Sequence, residues 1–238
     1  MRQKNTYFQF KKFRIEQKNT SMKVSTEACI LGAYAKQEPN PKYILDIGTG
    51  TGLLSLMLAQ RYPQSFISAV EIEESAYQEA VFNFQSSPFH HQIKGYHLAM
   101  QKFSSSQQFD LIISNPPFYQ NSLLANSSNR NIALHQQTLN FEDLVNIVHT
   151  FLNENGSFWL ILPTYEMKLF TEMAQKQNLH ICQNLKIFNQ IDKPVFREIR
   201  CFQKKEKKEI QDKLIIRNRD NIYTDSFQKL LQDFYLAF

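Results

Sequence analysis

At 238 residues, with 42% hydrophobic and 13% aromatic content, the chain is long enough to bury a substantial core and reads as one domain spanning 1–238. It has no uninterrupted apolar run of the roughly 20 residues that cross a bilayer, and residues 1–13 interleave charges with Phe and Tyr, which excludes a signal peptide and points to the cytoplasm. The net charge of +5 is concentrated at the ends: residues 1–24 carry seven Lys or Arg against one acid, 200–219 carry eight against three, and 25–199 hold eleven against fifteen. That layout suits a catalytic core over 43–202 between basic segments that touch a polyanion, although a solvated surface explains the same counts.

In chain order, residues 1–42 form a basic extension and a leading helix. Tyr7, Phe8, Phe10 and Phe13 alternate with polar residues as in a covering strand, and Ala28–Ala35 reads as the helix. After a Pro39-Asn40-Pro41 turn, Tyr43–Asp46 is a strand, Gly48–Gly52 a tight loop and Leu53–Gln60 a helix. Ser65–Glu71 is a second strand, Glu74–Phe84 a helix, Gln92–Leu98 a third strand and Asp110–Ser114 a fourth, stopped by Asn115-Pro116-Pro117. Residues 119–140 are polar and aperiodic. Glu142–Leu152 reads as a helix, Ser157–Leu162 as a fifth strand and Glu166–Lys176 as a helix. Ile181–Phe188 and Val195–Phe202 pair as an antiparallel hairpin around Asp192-Lys193-Pro194. Residues 203–238 read as a charged excursion followed by a helical end that packs back. Strands alternating with helices predict an α/β, Rossmann-like fold with a mostly parallel seven-stranded sheet and an antiparallel edge hairpin.

Asp46-Ile47-Gly48-Thr49-Gly50-Thr51-Gly52 lies between a strand and a helix, where glycines let a ligand approach the backbone closely. Glu71 ends the next strand, where a carboxylate can take both ribose hydroxyls of an adenosine ligand, with Ile72 beside it. An acid at position 46 would repel a pyrophosphate but can orient a cationic methionine portion, directly or through water, so the pattern favours S-adenosyl-L-methionine over a dinucleotide. Lys23 and Thr26 are placed to close such a pocket, though a helix cap explains Thr26 equally well, and Met100 can pack on the adenine.

Asn115-Pro116-Pro117-Phe118 follows an apolar strand and so falls at the carboxyl edge of the sheet. An exocyclic amine or carboxamide is a poor nucleophile because its lone pair is delocalised. An Asn oxygen and a proline carbonyl can accept its two N–H bonds and hold the lone pair toward a methyl donor, while Phe118 stacks on the planar acceptor. Other candidates are weaker. Arg130 and His135 can contact a substrate phosphate or base, whereas Cys29, Cys182 and Cys201 are too scattered for a disulfide framework, and no metal site is expected.

The glycine loop with Asn-Pro-Pro-Phe after the fourth strand resembles the amino-methyltransferases of nucleic acids and of glutamine. Met22–Glu27 with Leu31–Tyr34, Leu111–Tyr119, and Tyr223-Thr224 through Leu230 to Asp233–Leu236 resemble the bacterial adenine-N6 methyltransferases that act at position 37 of a valine tRNA. The resemblance implies a class I methyltransferase using S-adenosyl-L-methionine on the anticodon region of a structured tRNA. It implies a monomer or weak oligomer, with no membrane and no obligate protein partner. Two residues depart from the pattern: Ala99 stands where an acid for the cofactor's adenine amine is expected, and Glu27 replaces an Asp. The alternatives are a glutamine N5-methyltransferase of release factors and an rRNA guanine N2-methyltransferase, which share the acceptor motif.

Overall fold

Successive residues of a strand point to opposite faces of a sheet, and the central strands here are apolar on both. The computed structural model describes residues 6–20, 23–116 and 139–238. Its strands are β1 (Tyr7–Gln9), β2 (Arg14–Glu16), β3 (Tyr43–Ile47), β4 (Phe66–Glu71), β5 (Ile93–His97), β6 (Phe109–Ser114), β7 (Leu152–Leu162), β8 (His180–Gln190), β9 (Val195–Gln203) and β10 (Ile210–Arg217). The helices are α1 (Thr26–Tyr34), α2 (Leu53–Arg61), α3 (Glu74–Gln85), α4 (Phe141–Phe151), α5 (Thr164–Lys176) and α6 (Asp225–Leu231). Ile44, Leu111, Ile113, Trp159 and Ile161 join one core, with α1, α2 and α6. Leu45, Ile112, Phe158, Leu160 and Leu162 join the other, with α4 and α5. Among the described residues no helix is long and apolar enough to cross a membrane.

The main sheet has the order β10-β8-β9-β7-β6-β3-β4-β5. β9 alone runs antiparallel to its neighbours, β7 and β8. The seven strands expected from the sequence are all present, and β10 adds an eighth, parallel to β8 with Asp212 level with Leu185. Residues 210–217 therefore form the sheet's edge rather than an excursion from it. Leu214 and Ile216 are buried, while Gln211, Asp212 and Lys213 are exposed. Such charged positions discourage a further strand from pairing, and they also mask the strand pattern in the sequence.

β1 and β2 form a separate antiparallel ribbon with Phe8 opposite Ile15. Phe10 and Ile15 are fully buried, Phe10 bridges Tyr235, and the Lys11 amide donates to the Phe234 carbonyl at 2.8 Å. Residues 7–16 are thus packed onto the fold, with Phe10, Phe13 and Ile15 in its core. Two buried side chains of α3 hold it. Asn83 accepts from the Glu16 amide at 2.8 Å and donates at 2.9 Å to the carbonyls of Glu16 and Thr51. Glu79 accepts from the amides of Asn19 and Thr20 at 2.9 and 3.1 Å. Asn83 therefore ties the ribbon to the glycine loop. Asn83→Ala takes this partner from one buried and two half-buried backbone groups and is expected to lose about 1–3 kcal/mol of stability in chemical denaturation. A loss below about 0.5 kcal/mol would contradict this bridging role.

Candidate active site

β3 pairs with β4 on one side and β6 on the other, so the chain winds outward in both directions from that point. Such a reversal opens a crevice at the carboxyl ends of the strands. Ile47 is level with Ser114, and the Ser114 hydroxyl donates to the Ile47 carbonyl at 2.9 Å. The glycine loop after β3 and the Asn115-Pro116 step after β6 consequently leave the sheet side by side.

Gly48 and Gly50 have φ of +72° and +57°, a region L side chains rarely adopt, and a Cβ at either would meet nothing within 4 Å. These two turn the loop and leave its backbone open to the crevice. Beneath it, Asp46 is fully buried, and one carboxylate oxygen accepts from Thr49 Oγ1 at 2.6 Å and Ser55 Oγ at 2.7 Å. Its other oxygen, Oδ1, has no hydrogen-bond partner among the described residues. Burial pushes the carboxyl up from 3.8 to about 6, against the two hydroxyl bonds that lower it and with the nearby Glu71 charge raising it. Glu71 Oε1 accepts from the amides of Ile72 and Glu73, both at 2.9 Å, and Oε2 accepts from Gly50 at 2.8 Å. Three of the carboxylate's roughly four lone-pair directions are thus engaged by backbone.

These residues border a cavity of about 310 Å³. Of the residues expected from the sequence, Lys23, Gly48, Thr49, Gly50, Glu71, Ile72, Met100, Asn115 and Pro116 line it. Asp46 and Gly52 do not: Asp46 lies under the loop, and Gly52 caps α2 against the Phe84 ring. Thr26 faces a different cavity, because it sits in the first turn of α1, whose cap is the neighbouring Ser25. Pro117, Phe118, Arg130 and His135 lie outside the described residues. The sequence reading missed Gln101, which lines the cavity in the same short turn as Met100, while its amide donates to Asp143 of α4 at 3.1 Å. Its place two residues after Ala99 was the available signal. Val24, Ala28, Val70 and Leu98 supply apolar wall. Among the described residues no three of His, Cys, Asp and Glu converge to hold a metal.

An apolar slot beside Met100, a carboxylate at the end of β4, an open glycine backbone and an unpartnered buried oxygen under it fit an adenosine carrying a cationic side chain. Fold and site together define a class I methyltransferase. A profile of the Methyltransferase small domain family matches residues 29–187. A solved structure described as a predicted O-methyltransferase from Agrobacterium tumefaciens superposes with a TM-score of 0.68 at 14% identity, covering 87% of this chain and 95% of that one. The tRNA1(Val) (adenine(37)-N6)-methyltransferase of Dyadobacter fermentans is 41% identical, over 99% of each chain. Its counterpart in Pseudoalteromonas translucida is 37% identical, over 96% of this chain and 98% of its own. The chain belongs to the tRNA1(Val) (adenine(37)-N6)-methyltransferase family.

Because the folded state holds the Asp46 carboxyl up at about 6, the group gives a pH signature. Below about pH 4 it is protonated folded and unfolded, and it contributes nothing. Between about 4 and 6 only the unfolded chain ionises it, so stability falls, and above that the full penalty, on the order of 3 kcal/mol, persists. Asp46→Asn is expected to remove this decline and to be more stable than the parent at pH 7.5, read by denaturation across pH 4–8. Parallel profiles for the two proteins would contradict the assignment.

Proposed function

We propose that this protein transfers a methyl group from S-adenosyl-L-methionine to the exocyclic N6 amine of adenine 37 in a valine tRNA, in the cytoplasm and at the anticodon region. The observation that carries the reading is that Asn115 and Pro116 line the same cavity as the glycine loop and Glu71. Acceptor and donor groups thereby share one crevice. Relatives matching over nearly the whole of both chains support the choice of tRNA adenine over a release-factor glutamine or an rRNA guanine. We read 1–238 as a single domain, with the glycine loop, Glu71 and Asn115 inside 43–202 and Lys23 joining the cavity from the segment before it.

Bound S-adenosyl-L-methionine supplies an electrophilic methyl on a sulfonium. The chain's own work is to bind, orient and exclude water. Gly48, Thr49 and Gly50 offer backbone to the methionine portion, with Lys23 closing the cavity from the N-terminal side. Asp46 acts at one remove, setting the loop through Thr49 and Ser55. Glu71 takes the ribose hydroxyls. Its carboxylate is held at the cavity wall by the amides of Gly50, Ile72 and Glu73. Ile72 and Met100 would flank the adenine, and Gln101, which lines the cavity with its amide held by Asp143, would meet the adenine's amine in place of the acid absent at Ala99.

On the acceptor side, the Asn115 side-chain oxygen and the Pro116 carbonyl accept the two N–H bonds of the target amine. This favours a pyramidal nitrogen whose lone pair points along the line of attack. From the sequence we assign Phe118, after Pro117, to stacking on the extruded base. The proton leaves after transfer, so no general base is required.

Asn115→Ala is expected to lower transfer into tRNA by at least about a hundredfold, while S-adenosylhomocysteine binds within about twofold of the parent in calorimetry. Retained turnover would refute the role of Asn115. Gln101→Ala is expected to weaken S-adenosylhomocysteine about tenfold and to leave the affinity for its inosine analogue, which lacks the amine, unchanged. Equal losses for both ligands would remove Gln101 from amine recognition.

A further inference from the structure

A second cavity, of about 750 Å³, opens at the same carboxyl edge of the sheet. Its walls are the tip of the β8–β9 hairpin, the end of β10 and the first turn of α1. One helical turn divides it from the cofactor cavity: Val24 and Ala28 face the first, Thr26 and Glu27 the second. Ser114 is level with Leu160, and Leu160 with Arg200. Val195 lies five residues further along β9, so the hairpin rises roughly 16 Å beyond the level at which Asn115 leaves the sheet. The second cavity follows this projecting part.

The lining has a consistent chemistry. Among the described residues Lys193 and Arg217 are its cations and Glu27 is its one acid, paired with Arg197 at 3.5 Å. The Arg217 guanidinium lies 3.8 Å from the Tyr223 ring centroid and donates to the Asn221 carbonyl at 2.7 Å. It is thus a cation fixed in place rather than a mobile surface arginine. Tyr223 itself stacks on Phe227 at 4.8 Å. Phe196 adds a second aromatic wall, and Gln190 is among the amides placed to read a polar edge. Both faces of the Tyr223 ring are thus taken, and Phe196, with Arg197 over its ring at 4.4 Å, is the flat group for a base. Two cations for a phosphate, the Phe196 ring for a base and amides for its edge match a single nucleotide, and the volume falls within the range of small-ligand sites.

We propose that this cavity binds a nucleotide of the RNA substrate that flanks the acceptor adenine, with Lys193 and Arg217 on its phosphate and Phe196 against its base. The proposal rests on the RNA methyl-transfer reading above. It gives the substrate two adjacent points of contact, the acceptor at Asn115 and a neighbour beyond the first turn of α1. Recognition then depends on the spacing of two nucleotides and not on the target base alone.

The test uses the full-length protein and an unmodified valine tRNA transcript. Lys193→Ala, at an exposed hairpin tip, and the Lys193→Ala, Arg217→Gln double variant are compared with the parent. KM for tRNA is expected to rise on the order of tenfold in the double variant, and the salt dependence of binding to fall by about one unit per lost phosphate contact. S-adenosylhomocysteine affinity should stay at the parent value. 4-Thiouridine placed beside the acceptor adenine should crosslink to the peptide containing Phe196 or Tyr223. Crosslinking elsewhere, or a parental KM and salt slope in both variants, would overturn the proposal while leaving the methyl-transfer reading intact. Should Arg217→Gln fail to fold, Lys193→Ala and the crosslink decide alone. A parent protein that methylates no RNA would instead remove the reading beneath the proposal.

Discussion

The Asp46 carboxylate lies at the end of a central strand without contact to solvent, and the hydroxyls of Thr49 and Ser55 both donate to one of its oxygens. Burying such a group is costly unless its hydrogen bonds are made. The two bonds it does make fix the geometry around it. Thr49 belongs to the loop and Ser55 to α2, so the two bonds draw the loop down over the strand and seat the helix behind it. The loop amide of Gly50 then reaches Glu71 on the neighbouring strand at 2.8 Å. Ser114 ties the other neighbour to the same point through the Ile47 carbonyl. Three strand ends are therefore held in register at the place where the winding of the sheet reverses. The glycine loop and the Asn115-Pro116 step therefore leave the sheet side by side.

A second layer of constraint comes from segments far apart in sequence. The ribbon of β1 and β2 is anchored by Asn83 and Glu79 of α3 and by the C-terminal residues Phe234 and Tyr235. It delivers Lys23 and Val24 to the cofactor cavity and starts α1 between the two cavities. At the carboxyl edge of the sheet the Arg217 guanidinium is held by the Asn221 carbonyl and the Tyr223 ring, beside the projecting hairpin.

Much of this was legible from residues alone. Glycines at 48, 50 and 52 between a strand and a helix, Glu71 at the next strand end and Asn-Pro-Pro after a third apolar run are local signals, and the parallel sheet follows from their order. The misses have a common cause: each depends on contacts between distant residues. β10 is a strand because β8 is there to pair with it, and its own pattern of Gln, Asp and Lys reads as solvent. Asp46 lies under the loop with Thr49 and Ser55 bonded to one of its oxygens, an arrangement its place before the glycines does not disclose. Gln101 gains its place from Asp143, on a helix that follows forty residues later. The second cavity combines α1, the hairpin and β10, and no segment of sequence contains it.

Analysis of the product nucleoside tests the account most directly. Unmodified valine tRNA transcript, incubated with the protein and methyl-labelled S-adenosyl-L-methionine, is digested to nucleosides and separated. The account predicts label as N6-methyladenosine, lost when adenine 37 of the transcript is replaced by another base. Label in a different nucleoside, or in a release-factor glutamine while the RNA stays unlabelled, would contradict it.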